Sequence, residues 1–221
     1  LTNYQGVIFD MDGLLFDTEQ VYLDVNVTLA PDFGLHGLDK SYMMNFIGIS
    51  DEEVFATIRK DFSHLPSKTL DDFFYAGRSL VREMFEGGKT PLKPGAVETL
   101  ELLRKHQIPS VIASSNLREF IELLTEKANI DHYFSGIVSA NEVERAKPDP
   151  EIVIKATELL SLEPEKCLML EDSLNGVRAS HEANVDVIVI PDLIAPNPEM
   201  TSKAKVIVDN LFEAHPYIVN V

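Results

Sequence analysis

The chain has 221 residues, 45% of them hydrophobic, enough to bury one large core or a core with a smaller companion domain. Its 36 acidic residues against 19 basic ones give a formal charge of −17, which argues against nucleic acid or an anionic membrane as partner, since both demand basic patches. No apolar run approaches the ~20 residues of a membrane helix, and no basic stretch leads into an apolar one at the N-terminus.

In chain order, Leu1 stands where methionine would open a complete chain, which reads as a processed or truncated start. The first apolar run, 7–9, feeds into "DMDGLL". Asp10 and Asp12 are two apart, so near a strand end their side chains project the same way, and Gly13 permits a sharp turn. The next stretch, 18–89, contains helix-like segments ("QVYLDVNVTLA", "SDEEVFATIRKDF", "TLDDFFYAGRSLVREMF") and no convincing strand. Its exit, "EGGKTPLKPG", is rich in glycine and proline and reads as a hinge. "GGKT" resembles the end of a Walker phosphate loop, but that loop needs glycine at the position of Glu83 and a strand just before it, so the hinge is the better reading.

Beyond the hinge, apolar runs at 110–113, 136–138, 168–170 and 187–190 alternate with amphipathic segments. In one of these Leu117, Phe120, Ile121 and Leu124 fall at helical spacing. The alternation predicts an α/β fold, a doubly wound parallel sheet (Rossmann-like) with its ligand at the carboxyl ends of the strands. The expected division is a discontinuous catalytic core of 1–17 and 90–221, with 18–89 inserted as an α-helical cap over that edge and governing substrate selectivity. Cys167, the only cysteine, sits in "KCLMLED" and reads as a packing residue; its isolation excludes an internal disulfide and fits a reducing cytoplasm. The six histidines are scattered without metal-ligand spacing.

The strand ends collect the chemistry. Ser114, Ser115 and Asn116 follow the second run, where such residues cap helices but also hold phosphate oxygens. Lys147 precedes "PDP" after the third, and Glu171 and Asp172 close the fourth. Helix capping and dipole compensation would account for each acid alone. Together, four carboxylates against one lysine leave three uncompensated negative charges in one cleft. A hard dication resolves that repulsion, and Mg²⁺ is the natural choice because it needs few protein ligands; the calcium-loop pattern is absent.

"DMDGLL", the Ser114–Ser115 pair, "KPDP" and "EDSLNG" resemble, in order and spacing, the four motifs of the haloacid-dehalogenase superfamily of phosphotransferases. The likeness is greatest to the subgroup of beta-phosphoglucomutase and small-molecule phosphatases, and the opening and the tail ("VIVIPD", "TSKAKVIVDNL") are similar to pseudouridine-monophosphate phosphatases. The resemblance implies that Asp10 attacks phosphorus and that Asp12 acts as general acid and then base. It implies metal binding by Asp10, the Asp12 carbonyl and Asp172, with Glu171 in the metal's inner or outer shell, and phosphate contacts from Ser114, Ser115, Asn116 and Lys147. The mutases of the family resemble one another in a histidine shortly after the first motif and in Lys and Arg flanking the cap glycine. Here Tyr22, Ile47 and Asp51 stand at those places around Gly48, which favours a phosphatase for a small phosphorylated metabolite over a phosphohexomutase. Arg59, Lys60 and Arg78 could supply a second phosphate site, although solvated helix faces are their expected role. The cap's acidic balance points to a neutral polar leaving group: a sugar, polyol or nucleoside. A receiver-like phospho-acceptor module is the remote alternative, because there the phosphorylated aspartate follows the third strand and no cap intervenes. Monomer and weak homodimer both stay open.

Overall fold

Short runs of β-branched and apolar residues, apolar on both faces, are suited to the middle of a parallel sheet. The computed structural model describes residues 4–88 and 90–219, so Leu1 and the Lys89 of the hinge lie outside the described residues. In it the runs form β1 (Gly6–Phe9), β2 (Ser110–Ser114), β3 (Phe134–Ser139), β4 (Cys167–Glu171), β5 (Asp186–Val189) and a two-residue β6 (Val206–Ile207). The order is β3-β2-β1-β4-β5-β6 and every pairing is parallel. Strand order therefore reverses at β1, between β2 and β4, which is where such sheets open a crevice for a ligand. The sixth strand escaped the sequence reading because "VI" is too short to carry a period. β3 starts two residues earlier than the reading placed it, because Phe134 and Ser135 lie on the half-exposed edge of the sheet.

Helices α1 (Glu19–Leu29), α2 (Lys40–Met43), α3 (Asp51–Asp61) and α4 (Ser67–Glu86) all fall between β1 and α5 (Ala96–Lys105). The remainder are α6 (Arg118–Lys127), α7 (Glu151–Leu160), α8 (Leu174–Glu182), α9 (Pro198–Lys203) and α10 (Leu211–Ile218). Alternate residues of each strand go to opposite faces. Val7, Phe9, Leu168 and Leu170 pack with Leu100 and Leu103 of α5, Phe120 and Leu124 of α6 and Leu211 of α10. Ile8, Cys167 and Met169 pack with Ile152 and Ala156 of α7 and Val177 of α8. Each large apolar side chain so buried contributes about 1.5–3 kcal/mol. Cys167 has the packing role its context implied, and burial pushes its thiol up to about 11.

The insertion has its own core of Leu23, Leu35, Met43, Ile58, Phe62, Leu70 and Phe73. Entry and exit run side by side: Asp17 N–H donates to the Pro91 carbonyl at 3.0 Å, and Lys93 N–H donates to that of Leu15 at 2.8 Å. A two-strand hinge of this kind sets the four helices over the carboxyl edge of the sheet. Among the described residues no helix is long and apolar enough to cross a membrane.

Candidate active site

Asp10 is the first residue past β1, and its N–H still donates to the Leu170 carbonyl of β4 at 3.0 Å, so its side chain emerges at the crevice. The Lys147 ammonium lies beside it, 2.6 Å from Asp10 Oδ1 and 2.9 Å from Glu171 Oε2, with all three side chains almost wholly buried. Burial acts to lower the pKa of Lys147, but its two carboxylate partners outweigh that and raise it. Burial acts to raise Glu171 too, yet Lys147 and the donors of Ser173 hold it below the ordinary range. Asp10 moves well upward, driven by burial and by the Glu171 charge against the pull of Lys147.

Glu171 is held by several donors. Its Oε1 accepts from Asp172 N–H at 3.2 Å, Ser173 N–H at 2.9 Å and the Ser173 hydroxyl at 2.8 Å, while Oε2 takes Lys147. Three of these donors share Oε1 and Lys147 alone takes Oε2, so one of the carboxylate's roughly four lone-pair sites stays open on Oε2. Glu171 thus orients Lys147 and the start of α8, with the Asp172 carboxyl close beside it. Burial and the charges of Glu171, Asp10 and Glu19 push Asp172 well above its ordinary pKa.

Asp12 sits on the other side of the turn, and its carboxylate is held by four hydrogen bonds. Thr18 Oγ1 donates at 2.5 Å, Ser114 Oγ at 3.2 Å, and Asn116 Nδ2 to both oxygens at 3.0 and 3.2 Å. Burial raises the pKa of Asp12 in spite of these donors, which favours the protonated acid. Ser114 and Asn116, expected at the phosphate, are engaged with Asp12 in this arrangement. The Ser114 hydroxyl has one hydrogen, given to Asp12, and its oxygen accepts from Asn116 N–H at 3.0 Å. Both side chains therefore orient Asp12 here, and reaching a phosphoryl oxygen would first require releasing it. Ser115 instead faces the cavity between sheet and cap.

That cavity, about 110 Å³, runs from Asp10, Asp12 and Asp172 up into the insertion. The sequence-selected cap residues Tyr22, Ile47, Gly48 and Asp51 all line it. The turn at Gly48 rests directly on the core: a β-carbon there would stand 2.6 Å from Ser173 Cβ, and the backbone adopts φ +72°, so only glycine fits comfortably. Tyr22 OH accepts from Asn116 Nδ2 at 2.7 Å, and burial next to Asp12 pushes its phenol well above its usual range. Arg78 is solvent-exposed, as expected of it, and also lines the mouth of the cavity 3.9 Å from Asp51, whose pKa burial raises against the guanidinium. Arg59 does lie outside, paired with Asp71 at 2.7 Å and stacked over Phe74, and Lys60 is exposed. Much of the remaining cap wall is apolar: Leu23, Met43, Phe46, Ile49, Val54, Phe55 and Phe74.

Three residues escaped the sequence reading. Thr18 holds Asp12, and Glu19 lines the cavity, its carboxyl pushed well upward by burial and by Asp12 and Asp10. Asp192, just beyond β5, lies beside Gly13 and pairs with Lys93 at 2.5 Å. The rule that found the other acids would have found Asp192, since it too follows an apolar strand by a few residues.

Asp10, Glu171 and Asp172 can bring one oxygen each within 4.8 Å of one another, all buried. An all-oxygen donor set of buried, mutually repelling acids fits a hard divalent cation. Asp10 and Glu171 each give an oxygen to Lys147, and these two together with Asp172 are the side chains that would hold the cation. The Asp12 carboxylate, turned toward Thr18 and Asn116, is not part of this group.

The sequence profile of the haloacid dehalogenase-like hydrolases matches residues 7–190. The chain is 30% identical over 185 residues to a phosphorylated carbohydrates phosphatase of Thermotoga maritima, covering 83% of each. It is also 30% identical over 220 residues to a probable pseudouridine-5'-phosphatase of Drosophila melanogaster, covering 95% of this chain and 90% of that one. The fold matches that of a beta-phosphoglucomutase from Clostridium difficile with a TM-score of 0.80 at 21% identity, over 95% of this chain and 92% of the other.

Proposed function

The chain belongs to the haloacid dehalogenase-like hydrolases, and from that premise we propose that it hydrolyses small phosphomonoesters through an aspartyl-phosphate on Asp10, with Mg²⁺ as its metal. The observation that carries this reading is the placement of Lys147, 2.6 Å from Asp10, beside an acid cluster with room for one cation and opposite a second, independently held aspartic acid.

In this scheme Asp10 attacks phosphorus and Lys147 offsets the charge that accumulates on the phosphoryl oxygens. Asp10 and Asp172, with Glu171 beside them, would hold a divalent cation, which would supply further positive charge for the phosphoryl oxygens. Asp12, its pKa raised by burial and its carboxyl aimed by Thr18, Ser114 and Asn116, gives a proton to the departing oxygen. It then takes a proton from the water that cleaves the acyl phosphate. Positioning and charge account for most of what phosphoryl transfer requires.

Water is the favoured acceptor because a mutase must hold a second phosphate in the cap. Among the described residues lining the cavity, Arg78 is the only cation, and it faces Asp51. The cap wall favours a leaving group with an apolar or flat ring face and a polar edge toward Glu19, Asn26 or Asp51, as in a nucleoside, over an all-hydroxyl polyol. Relatives acting on phosphorylated carbohydrates and on a nucleotide bracket that range by name.

The test is a panel of sugar, polyol and nucleoside monophosphates assayed for phosphate release with Mg²⁺, with chelator, and with Asp10→Asn. Turnover of at least one monoester is expected, lost with chelator and reduced more than about 10⁴-fold by the substitution. Interconversion of a sugar phosphate primed by its bisphosphate, with no net phosphate release, would replace hydrolysis by mutase chemistry.

A further inference from the structure

Asp192 stands three residues past the end of β5, where Ile190 N–H donates to the Glu171 carbonyl at 2.8 Å and so brings this loop beside Asp172. Its side chain is only 8% exposed. One oxygen, Oδ1, takes the Lys93 ammonium at 2.5 Å. The other, Oδ2, is buried and has no hydrogen-bond partner among the described residues. Such an oxygen is costly to leave unsatisfied, and its direction is informative. A β-carbon built on Gly13 would lie 3.1 Å from Asp192 Oδ2 and 2.6 Å from Asp172 Oδ2. The two carboxylates therefore face each other across Gly13, and Asp172 has no proton donor to offer when ionised.

We propose that Asp192 is a positioning residue for the metal: Oδ2 accepts a hydrogen bond from the cation's hydration water while Lys93 fixes Oδ1. The inference rests on the metal reading given above. It explains why a buried carboxylate is only half paired, since the missing donor arrives with the hydrated cation. Mg²⁺ keeps several of its waters when protein-bound, so an acceptor just outside the ligand set has something to hold. It also gives Lys93 a purpose. This lysine belongs to the cap's exit strand, its N–H already tied to Leu15, so the hinge and the metal's outer shell share one ion pair.

Calorimetric titration of Mg²⁺ into metal-stripped protein, without substrate, tests this. Asp192→Asn keeps an oxygen for Lys93 but replaces the acceptor at Oδ2 with a donor. It is expected to weaken Mg²⁺ binding about tenfold or more, while the thermal midpoint of the metal-free protein stays within a degree or two of the parent. If Asp192 were only the partner of Lys93, Asp192→Asn and Lys93→Met would lower the metal-free midpoint alike and leave the Mg²⁺ Kd within twofold. That result overturns the inference. Should Asp192→Asn not fold, Asp192→Ser gives the same readout. A wild type that binds no divalent cation overturns the metal reading itself, whereas a wild type that binds one beside an unaffected Asp192→Asn overturns only the role of Asp192.

Discussion

The two walls of the cavity were built by different physics. The sheet wall is a set of charged groups at strand ends, several of them held by short, buried, directional contacts, as in Lys147 between Asp10 and Glu171. The cap wall is apolar and is fixed by helix packing, with one long ion pair, Asp51–Arg78 at 3.9 Å, and a stacked Phe55–Phe74 pair with ring centroids 4.2 Å apart. Charges buried at that depth tolerate almost no displacement, whereas an apolar wall accepts changes of shape at modest cost. The chemistry should therefore be brittle and the selectivity plastic.

The sharpest break in that contrast comes at Lys147. Lys147→Met leaves two buried carboxylates facing each other, so a loss of about 3–5 kcal/mol in unfolding free energy is expected, together with near-complete loss of turnover. Denaturant melts and phosphate release measure both. A variant that unfolds normally and stays active would show that the sheet wall is not brittle.

Ser114→Ala comes next, because it separates two roles for one hydroxyl. If Ser114 serves Asp12, as its 3.2 Å contact indicates, the loss is about tenfold for alkyl phosphates, whose leaving oxygen needs a proton. It is much smaller for 4-nitrophenyl phosphate, whose leaving group does not. Equal losses on both esters would return Ser114 to phosphate binding.

Phe55→Ala probes the other wall. Its expected effect is about a tenfold fall in kcat/KM for substrates with an apolar ring face, within the range of one hydrophobic contact, with little change for an ester as small as acetyl phosphate. A uniform fall across all substrates would mean that the cap wall supports the chemistry as well.

The smallest effect is on stability against pH. In the metal-free protein Asp10, Asp172 and Glu19 sit well above their ordinary values, with burial as the leading cause, while Glu171 alone of this group is lowered, by Lys147. Raised folded values mean that their stabilising contribution is complete below the ordinary carboxylate range and disappears as pH rises through the raised values. The metal-free thermal midpoint should fall by a few degrees between pH 5 and 8, and saturating Mg²⁺ should flatten the slope by replacing the protons. A midpoint that rises with pH in the absence of metal would contradict these shifts.

What the sequence disclosed divides along the same line. Asp10, Lys147, Glu171 and Asp172 were readable because each follows an apolar run in an alternating α/β pattern, and the strand order then brings those ends together. The cap was readable as helical, yet not which of its faces turns inward. Arg78 and Arg59 are indistinguishable as cations on amphipathic helices, and only tertiary packing puts one in the cavity and the other over the far side of Phe74. The cap's acidic composition pointed to a polar leaving group, but many of those acids, Asp61, Asp71 and Asp72 among them, lie on its outer surface while Phe46, Phe55 and Phe74 line the inside. The sequence puts Ser114 at a strand end, but only the side-chain rotamers show that its hydroxyl points to Asp12.

The central claim, that Asp10 carries the phosphoryl group, has a direct test. Protein mixed with a turning-over ester and Mg²⁺ is quenched in acid within one turnover, reduced with borohydride and mapped by peptide mass spectrometry. Homoserine at position 10, dependent on substrate and absent from Asp10→Asn, is the predicted result. Continued turnover with no modification at position 10, or with the modification at Asp12, would contradict it.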